Sequence, residues 1–223
     1  MIAEQLIHYN IPPLLDSDLY SKALSLMQQF HIQYLPVLDS LNNKQYIGML
    51  DEYAISDSTY FKGTISESNI VLPRFFVYSD VHLYEVIKYM QANQLSAVAV
   101  LNRNEEYRGL ITLSAVLSYM ATASSVQEIG GIIVLEMGEH DYVLSEIARI
   151  AEDNDTKILS LFVIPRPNSR IIDVTIKLNR SDLDNLIAAL ERHGYEINAT
   201  YQNNEYTEDI ADHFSSLINY LNI

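Results

Sequence analysis

Cysteine is absent from the 223 residues. Disulfides, thiolate nucleophiles and cysteine-based metal sites are therefore excluded, and the absence fits a reducing compartment. Cations are scarce: 14 Lys and Arg stand against 29 Asp and Glu, a net charge of −15, with a pI near 4.6. Such a surface repels phosphate backbones and anionic headgroups, which argues against nucleic-acid and membrane partners. A small anionic ligand stays open, because backbone N–H groups and one local base outweigh the global field at short range. No apolar run approaches the roughly 18 residues that span a bilayer. Residues 1–9 lack the basic region and apolar core of a signal peptide, so a cytoplasmic protein is expected. P-loop, G-x-G-x-x-G and G-x-S-x-G motifs are missing, as is any H-x-E-x-x-H-type spacing among the six histidines, and with them the usual nucleophile, phosphate-cradling and zinc arrangements.

What is present is a globular composition, 48% hydrophobic and 19% charged, in a chain long enough for one large domain or two to three small ones. It contains a duplication. Tyr46-Ile47-Gly48-Met49-Leu50-Asp51 returns as Tyr107-Arg108-Gly109-Leu110-Ile111-Thr112. The β-type run Tyr34–Leu38 precedes the first copy and Ala97–Leu101 the second, and each run follows an amphipathic helix ending in Met27-Gln28 or Met90-Gln91. A period of this size marks one structural unit used twice. In the first copy, Asp16-Ser17-Asp18 offers a helix N-cap, and Leu19, Ala23, Leu26, Met27 and Phe30 fall on one helical face. In the second, Ser79-Asp80 takes the capping place, and Leu83, Val86, Ile87 and Met90 form the stripe. Residues 57–73 read as a polar linker.

From residue 130 the rhythm changes. Gly131–Glu136 reads as a strand; Val143, Leu144, Ile147 and Ala151 mark a helix; Ile158–Ile164 is a second strand. Ile172, Val174, Ile176 and Leu178 alternate with Asp173, Thr175 and Lys177, a strand with one wet face. Pro165-Arg166-Pro167-Asn168 makes the turn between them, with Arg166 and Arg170 placed to meet acids. Ser181-Asp182-Leu183-Asp184 has a capping-box pattern before a helix lined by Leu183, Leu186, Ile187 and Leu190, which His193-Gly194 ends. Residues 195–201 give a last strand. The order is βαββαβ, a ferredoxin-like arrangement. Glu139-His140-Asp141 reads as a solvated loop with Asp141 capping the following helix, since adjacent residues cannot converge on one metal. Ile210, Phe214, Leu217 and Leu221 place a C-terminal amphipathic helix in 202–223, seeking a surface to pack on.

The strand–helix–strand–strand–helix order, Leu35-Pro36-Val37 and Gly109-Leu110-Ile111-Thr112 together resemble the CBS domain, and two copies resemble the Bateman module. The βαββαβ segment that follows resembles an ACT domain, and the order CBS–CBS–ACT is that of acetoin-utilisation AcuB-type proteins. The resemblance implies an α/β (α+β) fold: CBS domains over 1–60 and 61–122, an ACT-like domain over 130–201, and the C-terminal helix. It also implies a cleft that binds an adenine nucleotide such as AMP, ADP or ATP. There Leu35, Pro36, Val98 and Ala99 would sandwich the base, and Gly48 and Gly109 would shape the turns. Thr112 would reach phosphate, with Asp51 at the matching place in the first copy. Ala54 and Ala115 stand where the family's ribose-gripping aspartates lie. Losing a hydrogen bond to a charged group costs about 1.5–3 kcal/mol. The glycines and caps also have a reading without a ligand, as tight strand-to-helix turns with Asp51 and Thr112 as N-caps. Where the family's turn follows the first ACT strand, this chain has Gly138-Glu139-His140-Asp141-Tyr142.

The expectation is a non-catalytic regulatory protein that senses a small molecule, with no required cofactor or metal. The alternative is a ligand-free structural homodimer that acts through protein–protein contacts; a homodimer is expected in either case.

Overall fold

The computed structural model describes residues 1–42, 45–56, 63–67 and 70–202. The expected C-terminal helix therefore lies outside the described residues, as do parts of the linker. The chain divides into two compact units, Met1–Tyr119 and Met120–Ile223.

The first unit is built from the duplicated element. Copy one runs β1 (Leu14–Leu15), α1 (Tyr20–Phe30), β2 (Tyr34–Leu38), β3 (Tyr46–Asp51) and α2 (Glu52–Ser56). Copy two runs β4 (Phe76–Tyr78), α3 (Leu83–Ala92), β5 (Ala97–Leu101), β6 (Tyr107–Thr112) and α4 (Leu113–Ala123). Each makes a three-stranded sheet, ordered β1-β2-β3 and β4-β5-β6. The hairpins match residue by residue. Val37 faces Gly48, with a bulge before Leu38; Val100 faces Gly109, with a bulge before Leu101. One apolar core runs through both copies, uniting Leu14, Met27, Leu35 and Met49 with Ala97, Ala99, Leu101 and Leu110.

The leading segments are exchanged. In residues 1–8, Ala3 N–H donates to Val81 C=O at 2.9 Å, Glu4 N–H to Ser79 C=O at 3.0 Å, and His8 N–H to Leu110 C=O at 2.8 Å. These are all bonds onto copy two. The stretch that enters copy two returns the favour. Ile65 N–H donates to Asp18 C=O at 3.0 Å, Ser66 N–H to Asp16 C=O at 2.8 Å, and Met49 N–H to Pro73 C=O at 2.8 Å. What the sequence suggests is a loose linker is, at 63–67 and 70–73, bonded structure.

This crossing accounts for the repeated glycines. A Cβ on Gly48 would lie 2.6 Å from the Leu72 carbonyl oxygen, and one on Gly109 would collide with the Ile7 side chain. Only a residue without a Cβ lets the borrowed segment pass.

The helix starts differ from expectation. Leu19, expected in the buried stripe, is 48% exposed, and Tyr20 takes the buried place. Leu19 is the N-cap of α1 and makes no side-chain cap bond. The Asp18 carboxylate instead accepts from Leu15 N–H at 2.9 Å and from Lys22. In copy two the cap is His82, whose Nδ1 accepts from Tyr84 N–H at 3.2 Å. Asp80 is held by the Arg103 guanidinium.

The second unit is βαββαβ: β7 (Ile132–Gly138), α5 (Leu144–Asp153), β8 (Ile158–Pro165), β9 (Ile171–Leu178), α6 (Asp184–Arg192) and β10 (Glu196–Tyr201). Strand order β10-β7-β9-β8, antiparallel throughout, is that of the ferredoxin-like arrangement. The fold class is thus the α/β (α+β) one expected. β9 alternates buried and half-buried residues along its length, and Ile172, Val174, Ile176 and Leu178 meet Ile147, Ile150, Leu186 and Leu190 in the core. Val143 and Leu144 are exposed, and Ile150 takes their place on the inner face of α5. α5 has no side-chain cap, so the role expected of Asp141 is not found; at α6 the N-cap residue Leu183 makes no such bond, and the Asp182 carboxylate accepts from Asp184 N–H at 3.2 Å. Residues 139–141 form a single exposed 3-10 turn.

On the other face, Glu136 and Asp173 stand directly opposite across β7 and β9, where two like charges would repel. Arg166 resolves the conflict. Its guanidinium holds Asp173 with bonds of 3.0 and 2.7 Å and reaches Glu136 at 2.6 Å. The bidentate bond keeps the Asp173 carboxyl below its ordinary range.

Gly48→Ala and Gly109→Ala should each lower stability by about 1–3 kcal/mol, read as a lower urea midpoint. Gly48 should be the worse, because it meets backbone. Asp173 titrates lower in the folded than in the unfolded state, so its contribution is present above its unfolded pKa and is lost as pH falls through the folded one. Acid unfolding below about pH 4 should accordingly flatten in Arg166→Met relative to the parent, as followed by circular dichroism.

Candidate functional site

The crevice of the first unit is built around its internal twofold repetition. At one end, Leu113 N–H donates to Ser96 C=O at 2.8 Å, and in copy one Glu52 N–H donates to Gln33 C=O at 2.9 Å. Each helix that follows a hairpin is thus tied to the residue preceding that hairpin. Gln33 N–H also reaches Ser96 Oγ at 3.4 Å, linking the copies. At the opposite end an isolated antiparallel bridge joins Gln45 to Glu106.

A cavity of about 360 Å³ opens beside the first of these junctions. Its floor is apolar, with Met90, Leu95 and Val116 buried and Ile87 and Leu113 flanking them. Its rim is amide and hydroxyl: Gln33 from copy one, and Gln91, Gln94 and Ser96 from copy two. A second cavity, of about 400 Å³, lies at the turn end. Its wall carries Tyr46, Arg74, Glu105 and Glu106. The Arg74 guanidinium is 3.1 Å from Glu105 and stands over the Tyr46 and Phe76 rings at 5.8 and 5.7 Å. Tyr46 donates its hydroxyl to Phe75 C=O at 2.8 Å, and burial pushes its titration well above the ordinary tyrosine value. Burial does the same for Tyr107, its counterpart in copy two.

The residues singled out from the sequence occupy consistent places. Leu35, Val98 and Ala99 are fully buried, and Pro36, Gly48 and Gly109 are buried with them. They form the strands and crossings beneath the crevice and line neither cavity. Thr112, 3% exposed, adjoins Leu113 at the cavity wall. Its hydroxyl accepts from Ala115 N–H at 3.2 Å and pairs with Ser114 at 2.9 Å, which makes it the cap of α4. Asp51 repeats the arrangement in copy one, accepting from Tyr53 N–H at 2.9 Å. Burial, and then the Asp51 charge beside it, raise the titration of Tyr34.

The rim residues Gln33, Gln91, Gln94 and Ser96 were not singled out from the sequence. The available signal was positional, since Gln33 and Ser96 are the polar residues just before the repeated strands. Among the described residues no cluster of three or more His, Asp or Glu is placed to hold a metal ion, and no helix is long and apolar enough to cross a membrane.

Residues 63–122 match the family model of the CBS domain. Similar solved structures include a CBS domain pair/ACT domain protein from Thermotoga maritima, at 17% identity and TM-score 0.48, covering 55% of this chain and 98% of that one. Another is a CBS domain protein from Pyrobaculum aerophilum complexed with AMP, at 16% identity and TM-score 0.45, covering 55% and 100%. A third is the CBS domains of a transcriptional regulator from Streptococcus pneumoniae, at 20% identity and TM-score 0.46, covering 53% and 98%.

Thr112→Val, which keeps the volume and removes the cap, should cost about 0.5–2 kcal/mol. Urea denaturation followed by circular dichroism reads it, and Asp51→Ala should show a loss of similar size.

Proposed function

We propose that the first unit is a CBS pair serving as a non-catalytic regulatory module, and that it binds a small molecule of the adenine-nucleotide class in the 360 Å³ cavity beside Gln33, Ser96 and Leu113. One observation carries this reading: the cavity opens where Gln33 of copy one meets Ser96 of copy two, so an occupant bears on how the halves sit together. Its volume falls in the range of small-ligand sites, roughly 300–1,000 Å³. The match of residues 63–122 to the CBS domain supports the same reading. Leu35, Pro36, Val98, Ala99, Gly48 and Gly109 act as the scaffold beneath the ligand, and Thr112 and Asp51 fix the helices at its edge. The βαββαβ unit serves as an ACT-like assembly domain in the AcuB-type order, and the protein works as a cytoplasmic homodimer.

A second reading rests on Ala54 and Ala115, which supply no ribose-gripping carboxylate. In it the crevice stays empty, and function lies in protein–protein contact within the homodimer.

Calorimetric titration and thermal melts with AMP, ADP and ATP separate the two. A ligand at a hundred times its Kd stabilises by about 2.7 kcal/mol, which should raise the melting temperature by several degrees. Absence of both heat and shift with all three would remove the sensor reading. Light scattering at micromolar concentration would then decide the second: a dimer keeps it and a monomer ends it.

A further inference from the structure

The lining of the 360 Å³ cavity contains no charged side chain among the described residues. A phosphate placed there would find few backbone donors as well. At the start of α4, Leu113 N–H is spent on Ser96 C=O and Ala115 N–H on Thr112 Oγ1. Arg74 lines the other cavity, where Glu105 already engages it. With 29 acids against 14 bases, the surrounding field also opposes an anion. Phosphate recognition normally depends on the opposite conditions: a cation, or free N–H groups at a helix start.

The rim is instead suited to a heteroaromatic edge. Gln33, Gln91 and Gln94 line the opening, and a glutamine carboxamide carries an acceptor and two donors in one plane. That is the pattern a carboxamide uses to pair two-pronged with the N6/N7 edge of adenine. Met90, Leu95 and Val116 offer an apolar floor on which a planar ring can lie.

We propose that this cavity selects an uncharged, nucleoside-like ligand: it reads the base through the glutamine carboxamides and leaves any phosphate ungripped in solvent. The inference rests on the site assignment made above, and deepens it by naming which part of the ligand is recognised.

The full chain would be titrated calorimetrically with adenosine, AMP and ATP. The expected result is an adenosine Kd within threefold of that for AMP, with ATP no tighter. Gln33→Leu and Gln94→Leu should each weaken adenosine at least tenfold at unchanged melting temperature, since both side chains are solvent-exposed. An affinity that rises tenfold or more from adenosine to AMP or ATP would overturn the inference while leaving the site assignment standing. So would glutamine variants that bind adenosine as the parent does. Failure of all three compounds to bind would bring down the site assignment, and this inference with it.

Discussion

Two bare α-carbons hold the first unit in register. At Gly48 and at Gly109, a chain segment from elsewhere crosses so close that a single methyl group would obstruct it. The crossing segments are the two leaders, and each lies on the repeat that it does not begin. Met49 N–H reaches Pro73 C=O on one side and His8 N–H reaches Leu110 C=O on the other, both at 2.8 Å. The repeats are therefore interlocked rather than merely adjacent, which is why one apolar cluster contains strands of both.

The interlock sets the crevice, and sequence divergence makes the two copies unequal at its junction end. Thr112-Leu113 opens α4 with a neutral cap and an apolar residue, where copy one has Asp51-Glu52. An apolar floor can form beside Leu113, while two carboxylates at the matching place would be costly to strip of water. The cavity with an uncharged rim sits on the copy-two side, and the charged cavity containing Arg74 sits at the turn end. Duplication built the frame, and substitution then gave it a polarity.

Much of this architecture can be read from the amino-acid order alone. The repeated glycine hexapeptide gave the paired hairpins, and the strict alternation from Ile172 to Leu178 gave a strand with one wet face. Helix starts were less legible, because aspartate competes for several roles. Asp18 spends its carboxylate on Leu15 N–H and Lys22, and Asp80 on Arg103, leaving Leu19 and His82 as the boundary residues. The leader exchange left no local signature, since Ile7 and Leu72 are ordinary apolar residues whose partners lie far along the chain. The cavity rim was hidden for a related reason: Gln33 and Gln94 are 61 residues apart, and only the pairing of the copies brings them to one opening.

The borrowed leader has a consequence for synthesis on the ribosome. Residues 1–8 leave the ribosome well before their partners: Ser79 and Val81 follow about 75 residues later and Leu110 about 100. Translation runs at about 5–20 residues per second, so this segment waits several seconds, with Leu6 and Ile7 uncovered, before its place exists. Contacts this distant in sequence also slow the search itself. The nascent protein thus carries an uncovered apolar segment until copy two has been made.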